Sequence, residues 1–399
     1  MAQRQRAGRR RGQSALHRAV QGAGPVSVIE GRDPATGQVL RAEIDGEGIV
    51  AVHRLAARDP GLPWLIPGLI DLQVNGYGGF DVNGADASPD AVASITHLLA
   101  GRGVTTWVPT IITGTEEAIT ASLRAVEDAR RADPVVAAAI PFAHVEGPFL
   151  SGEDGPRGAH DLAQIRPVDA AEVARWAGHG PLGYVTVSPH TEGAPAQIAA
   201  IVASGVRVAL GHTHASPAQL QAAADAGATL STHLGNGIFA TLPRHPNPIW
   251  TQLADDRLTA GLIGDGHHLP ADTLTAMARA KGPGRSFLAS DSVALAGSAP
   301  GRYHQPVGGD VELHPDGRLT MADSPLLAGS GVNLAEVVAF VLTHTPLGLP
   351  TVVEMACATP ARIIGDARIG RVQAGARADL VLLDEQGRVV DVLRQGVRP

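Results

Sequence analysis

Cysteine is all but absent. Cys357 is the single one in 399 residues, so no intramolecular disulfide can form, the fold rests on packing, and nothing marks an oxidising compartment. Lysine is equally scarce: Lys281 stands alone, and arginine supplies the other cations, a bias of composition with no mechanistic content. No apolar run approaches the roughly 20 residues that cross a bilayer. The formal net charge is −7, and the chain lacks the broad basic face that a general nucleic-acid or membrane-surface binder needs. Met1–Gly12 is rich in Arg, Gln and Gly but lacks the apolar centre of a secretory signal. It is expected to be part of a disordered basic tail (1–15), and the chain is expected in the cytoplasm.

What the chain has in quantity is apolar sequence. Hydrophobic residues make up 44% and charged residues 18%, enough for a large core plus a small second domain. In the middle, short β-rich runs alternate with Ala- and Leu-rich helical runs, the mark of a parallel sheet. The strand candidates are 69–74, 105–111, 135–145, 183–187, 206–210, 228–232, 258–263 and 286–289. Helices are expected between them, as at 89–100, 116–131 and 217–226. Ser88-Pro89 and Ser216-Pro217 each offer a capping hydroxyl before a proline at the first helical position. Eight such units favour a closed (β/α)8 barrel over an open sheet. Both ends read differently: 26–52 and 369–399 alternate β runs with turn signals. Each is too short for its own core, so they are expected to share one small β-sandwich domain (16–66 with 369–399) beside a barrel spanning 67–368. The stretch 303–321 is a candidate hairpin of that β-domain.

Barrel active sites lie where strands end. The turns after strands one, three, five, six, seven and eight carry Gln73 and Asn75, Glu146, His212 and His214, His233 and Asn236, Asp265, His267 and His268, and Asp291. A catalytic zinc uses three protein ligands, commonly imidazole and carboxylate, and keeps one open position. Glu146, His212 and His233 supply that set, and Asp291 stands as general base. His160, after the Gly155–Ala159 loop, is placed to donate to a carbonyl becoming an oxyanion. His267 and His268 are adjacent, so only one should face the site. His214 is either a neighbour of the ligands or the start of a helix cap. His53, His97, His179, His190, His304, His314 and His344 are read as structural.

These pieces together resemble the N-acetylglucosamine-6-phosphate deacetylases of the amidohydrolase superfamily. The matching segments are Pro67–Gly76, His144–Phe149, Gly158–His160, Gly211–Thr213, Thr232–Asn236, Asp265–His268, Ser290-Asp291 and Leu327–Ser330, with Ala374–Val381 resembling the closing strand of the small domain. The resemblance implies metal-dependent cleavage of the acetamide of an amino sugar phosphate. Glu146, His212 and His233 would hold one divalent ion, most simply zinc. Asp291 would be the acid/base and His160 the carbonyl-polarising group. Ala159, Asn236, Gly237 and His268 would bind substrate. Arg244 would reach the phosphate in a neighbouring subunit of a homodimer. Another amidohydrolase reaction, on an N-acyl amino acid or a cyclic amide, is the alternative, and a non-catalytic sugar-binding relative is a remoter one. Three departures stand out: Gln73 and Asn75 occupy positions where many amidohydrolases carry His-x-His, the loop 239–248 is unusually proline-rich, and His214 replaces a smaller polar residue.

Overall fold

The computed structural model describes residues 26–84, 87–305 and 309–399; the expected basic tail lies outside them. Eight parallel strands follow one another around a barrel: Leu69–Val74, Val104–Ile112, Ala143–Glu146, Leu182–Val187, Arg207–Leu210, Leu230–Ser231, Thr259–Ile263 and Ser286–Ala289. The eighth meets the first through a Val74–Ser292 bridge. There the Asp291 amide donates to Gln73 O at 3.0 Å and the Asn75 amide to Ser292 O at 2.8 Å, so the seam of the barrel runs through the turns that carry Asn75 and Asp291.

The helices begin where capping chemistry allows. Ser88 accepts from the Ala91 amide at the start of Pro89–Ala100, and Ser216 with Gln219 forms a reciprocal capping box on Pro217–Asp225. The expected strand 135–145 is corrected. Asp133 accepts from the Val135 amide and Pro134 sits at the first helical position, so Pro134–Ala139 is a helix and the strand is only Ala143–Glu146. An apolar run alone does not separate a buried helix from a buried strand; the cap does.

Two apolar layers separate the barrel from its helices, while Ile70, Leu72, Val108, Phe142, Tyr184, Leu230 and Phe287 belong to a third buried cluster contributed mainly by the strands themselves. Both chain ends build one six-stranded mixed sheet, ordered Val389–Leu393, Leu380–Leu383, Trp64–Pro67, Ser27–Arg32, Val39–Asp45 and Gly48–Leu55. Its core includes Ile29, Leu40, Ile44, Leu65, Leu380 and Leu393. The stretch 303–321 does not join that sheet. Gly301–Gln305, Gly309–Leu313 and Leu319–Met321 form a separate three-stranded sheet, because Val311, Leu313 and Leu319 bury themselves against Val293, Leu295 and Ala328 just beyond the eighth barrel strand. Among the described residues no helix is long and apolar enough to cross a membrane.

Candidate metal centre and active site

Glu146 ends the third barrel strand, and His212, His233 and Asp291 each lie two residues beyond the fifth, sixth and eighth. The last three share a backbone peculiarity. Their φ angles are +47°, +27° and +53°, and among the described residues only two other non-glycine residues, Asp323 and Gln395, have positive φ. Such conformations cost free energy for residues with a Cβ. Their concentration at three strand-end turns, after the fifth, sixth and eighth strands, places strained backbone where the candidate functional side chains stand.

Glu146, His212 and His233 are buried, and one donor atom from each lies within 4.8 Å of the others. His233 Nε2 is 3.0 Å from Glu146 Oε1 and 3.0 Å from His212 Nε2, and His212 Nε2 is 3.4 Å from the same carboxylate oxygen. The His212 Nδ1–H donates to Pro156 O at 2.9 Å. A carbonyl can only accept, so Nδ1 carries the proton and Nε2 turns a lone pair into the cluster. That tautomer, with its outer nitrogen held by a backbone carbonyl, is the one a metal-ligating histidine adopts. The cluster therefore fits a divalent cation. Burial pushes the Glu146 carboxyl up, but hydrogen bonds from the two histidines outweigh this and hold it well below the usual carboxylate range.

Sequence reasoning noted Gln73 and Asn75 only as missing ligands; the structure gives them partners. Gln73 Nε2 donates to both Glu146 oxygens at 3.2 Å each. Asn75 Nδ2 donates to Asp291 Oδ1 at 2.9 Å. A carboxamide two residues from another on a strand end was the available signal, since each can donate to a carboxylate where an imidazole would hold a second ion.

Burial, then the charge of Glu146, pushes the Asp291 carboxyl up to about 6. Burial and then His212 push the His160 imidazole down to about 3, so it is neutral at ordinary pH. His160 Nε2 lies 3.3 Å from His212 Nε2, and its buried Nδ1 has no hydrogen-bond partner among the described residues. These groups line a cavity of about 460 Å³, which also brings in Ala159, Asn236, Gly237 and His268, together with an apolar side of Ile238, Phe239, Leu326 and Leu327 that sequence reasoning did not single out. His268 is oriented by Asp265, Nδ1 to Oδ2 at 2.7 Å, while the His267 ring turns away to Asp316 O. Arg244 is exposed and does not line this cavity, and among the described residues no Arg or Lys does. His214 lies outside it, bonded to Ser151.

A barrel whose strand ends converge on a buried Glu–His–His set beside a carboxylate is the build of a metal-dependent hydrolase, and residues 64–398 match the Amidohydrolase family. The chain is 33% identical over 343 residues to the N-acetylglucosamine-6-phosphate deacetylase of Bos taurus, covering 82% of this chain and 81% of that protein. It is 34% identical over 332 residues to the N-acetylgalactosamine-6-phosphate deacetylase of Shewanella sp. (strain ANA-3), covering 82% and 81%. A mutant N-acetyl-D-glucosamine-6-phosphate deacetylase from Mycobacterium smegmatis, solved in complex with N-acetyl-D-glucosamine-6-phosphate, matches with a TM-score of 0.84 at 32% identity, covering 94% of this chain and 99% of that one. The chain belongs to the amidohydrolase family and, within it, to the amino-sugar-6-phosphate deacetylases.

Proposed function

We propose that this enzyme hydrolyses N-acetylglucosamine-6-phosphate to acetate and the amino sugar phosphate, with Asp291 moving the proton. The observation that carries this reading is the placement of Asp291, half-buried and held by Asn75, in one cavity with the Glu146–His212–His233 cluster and His160. A zinc ion held by that cluster would supply Lewis-acid polarisation of water and of the amide carbonyl. Asp291 accepts a proton from the attacking water and returns it to the leaving amine. A carboxyl that titrates at about 6 serves in both directions near neutrality. His160, neutral because it is buried, donates N–H to the acetamide oxygen as negative charge develops there. The C–N bond breaks, the hydroxyl from water stays on the acetyl carbon, and the amine leaves with the proton.

Asn236, the Gly237 backbone, Ala159 and His268 orient the sugar. A phosphate dianion calls for charge-assisted donors, and among the described residues the cavity's own lining has no Arg or Lys. Arg244, exposed on the loop that leads away from Asn236 and Gly237, is assigned to the phosphate of a neighbouring subunit in a cytoplasmic homodimer with one zinc per chain. N-acetylgalactosamine-6-phosphate is the second reading, favoured by the Shewanella relative. Turnover of the metal-loaded enzyme on the two phosphorylated sugars and on unphosphorylated N-acetylglucosamine tests the assignment. The highest kcat/KM is expected for N-acetylglucosamine-6-phosphate. Equal rates with and without the phosphate would remove the 6-phosphate from the reading, and no deacetylation of any of the three would remove the reaction.

A further inference from the structure

Outside the catalytic cavity, two half-buried histidines face each other at the same end of the barrel. His190 follows the fourth barrel strand and His214 the fifth. Their ring centroids are 4.4 Å apart with planes tilted by 40°. Neither lines the cavity, and neither belongs to the Glu146–His212–His233 set.

Each ring is anchored through Nδ1. His190 Nδ1 lies 2.7 Å from Ser188 Oγ, and His214 Nδ1 lies 2.5 Å from Ser151 Oγ. Ser188 donates its hydroxyl proton to Thr213 Oγ1 at 2.8 Å, so it can only accept from His190. His190 therefore carries its proton on Nδ1 and keeps a lone pair on Nε2. Its main chain is fixed as well, since Gln219 Nε2 donates to His190 O at 2.8 Å. Burial, with His214 beside it, holds the His190 imidazole below its ordinary value, which keeps that lone pair free of a proton. Among the described residues neither Nε2 has a hydrogen-bond partner. Glu153, two residues beyond Ser151, adds negative charge near His190.

Two adjacent imidazoles, each with Nδ1 tied to a serine hydroxyl and Nε2 without a hydrogen-bond partner among the described residues, offer the nitrogen donors that borderline divalent metals select over Mg²⁺ or Ca²⁺. We propose that His190 and His214 form a second, weaker transition-metal site, binding Zn²⁺ or a similar ion through both Nε2 atoms with water completing the coordination. An ion there joins the turns after the fourth and fifth strands and, through Ser151, the start of the loop that carries His160. The inference does not depend on which amino sugar is the substrate.

The test is Zn²⁺ binding by equilibrium dialysis with elemental analysis, using the full chain already holding its tight ion. Wild type should take up a second ion per chain at higher free Zn²⁺. His190→Gln and His214→Gln should each abolish that uptake while retaining the first ion. Ser188→Ala, which leaves both rings in place and so covers the case in which a histidine variant fails to fold, should weaken the second ion about tenfold, the lower end of the cost of losing an orienting partner. Saturation of wild type at one ion per chain would overturn the proposal. So would a second ion whose affinity is the same in wild type and Ser188→Ala or either histidine variant, since that ion would sit elsewhere, as beside Glu146.

Discussion

Where the barrel strands begin, the Gly183 backbone abuts the Phe142 ring and Gly68 abuts Thr105 and Asp379 so closely that neither glycine has room for a Cβ. Where the strands end, Gly158 and Gly237 also make close approaches, but against the His212 ring. At the first end Arg377 pairs with Asp379 and donates to Ala138 O and Thr106 Oγ1, while the nearby Arg394 Nη1 is buried without a partner among the described residues. At the second, His160 Nδ1, His233 Nδ1 and Asn75 Oδ1 are buried with no partner among the described residues. Unpaired buried polar atoms are costly, and here they border the cavity that a substrate would enter. One end of the barrel is filled by its own side chains and carries stability. The other keeps hydrogen-bonding capacity and strained backbone for a ligand.

The sharpest way to break this comparison is at Asp291. Asp291→Asn should lower kcat by about 10²–10⁴-fold, the usual share of a general acid/base, with metal content near normal by elemental analysis. A metal-loaded variant that kept most of its activity would make another group the base. At the opposite end, Phe142→Ala should cost about 3–5 kcal/mol in denaturant unfolding, because the ring fills space against Gly183 and packs edge-on to Tyr184 at 6.1 Å. Its kcat, measured where the variant is still folded, should stay near wild type. A large loss of kcat without loss of stability would mean that the two ends are not separable.

Arg244→Ala should raise KM for the phosphorylated sugar by about one to two orders of magnitude, as expected for a hydrogen bond to a charged group worth roughly 1.5–3 kcal/mol. The unphosphorylated sugar should be nearly unaffected, since it never used the contact. Equal damage to both substrates would reduce Arg244 to a tether of its proline-rich loop.

A fourth effect, on stability alone, concerns Asp71, fully buried in the first strand between the two ends. Burial, opposed by hydrogen bonds from Ser290 and the Gln73 amide, pushes its carboxyl from 3.8 up to about 7. Between about pH 4 and 7 the folded protein therefore keeps a proton that the unfolded chain releases. That contribution to stability is complete below pH 4 and is lost as pH rises, at up to about 1.4 kcal/mol per unit, levelling off above 7. Asp71→Asn should flatten this part of the stability–pH profile, measured by denaturant unfolding across the range. An unchanged slope would show that Asp71 is ionised in the native state.

The Glu–His–His cluster was legible because its members stand beside strand ends, and a parallel barrel gathers strand ends regardless of what lies between them in sequence. Glu146, His212 and His233 could be grouped on that ground together with the imidazole and carboxylate preference of a catalytic zinc, and Asp291 with them as a base. The cap at Asp133-Pro134 was also present in the sequence, but the apolar run behind it masked a helix as part of a strand. The pairing of Gln73 with Glu146 and of Asn75 with Asp291 was not legible, because a carboxamide on a strand end carries no sign of which carboxylate it will meet across the barrel.

By itself, then, the sequence determined the alternating strand–helix order, the capping of the helices and the identity of the residues at the strand ends, since each follows from local periodicity and turn chemistry. Only the tertiary structure decided that the strands 301–321 pack against residues beyond the eighth barrel strand instead of joining the terminal sheet, that the pocket has an apolar side and, among the described residues, no Arg or Lys, and that His190 meets His214. Those outcomes depend on which surfaces come within a few ångströms of one another once the barrel closes, and no local pattern encodes that distance.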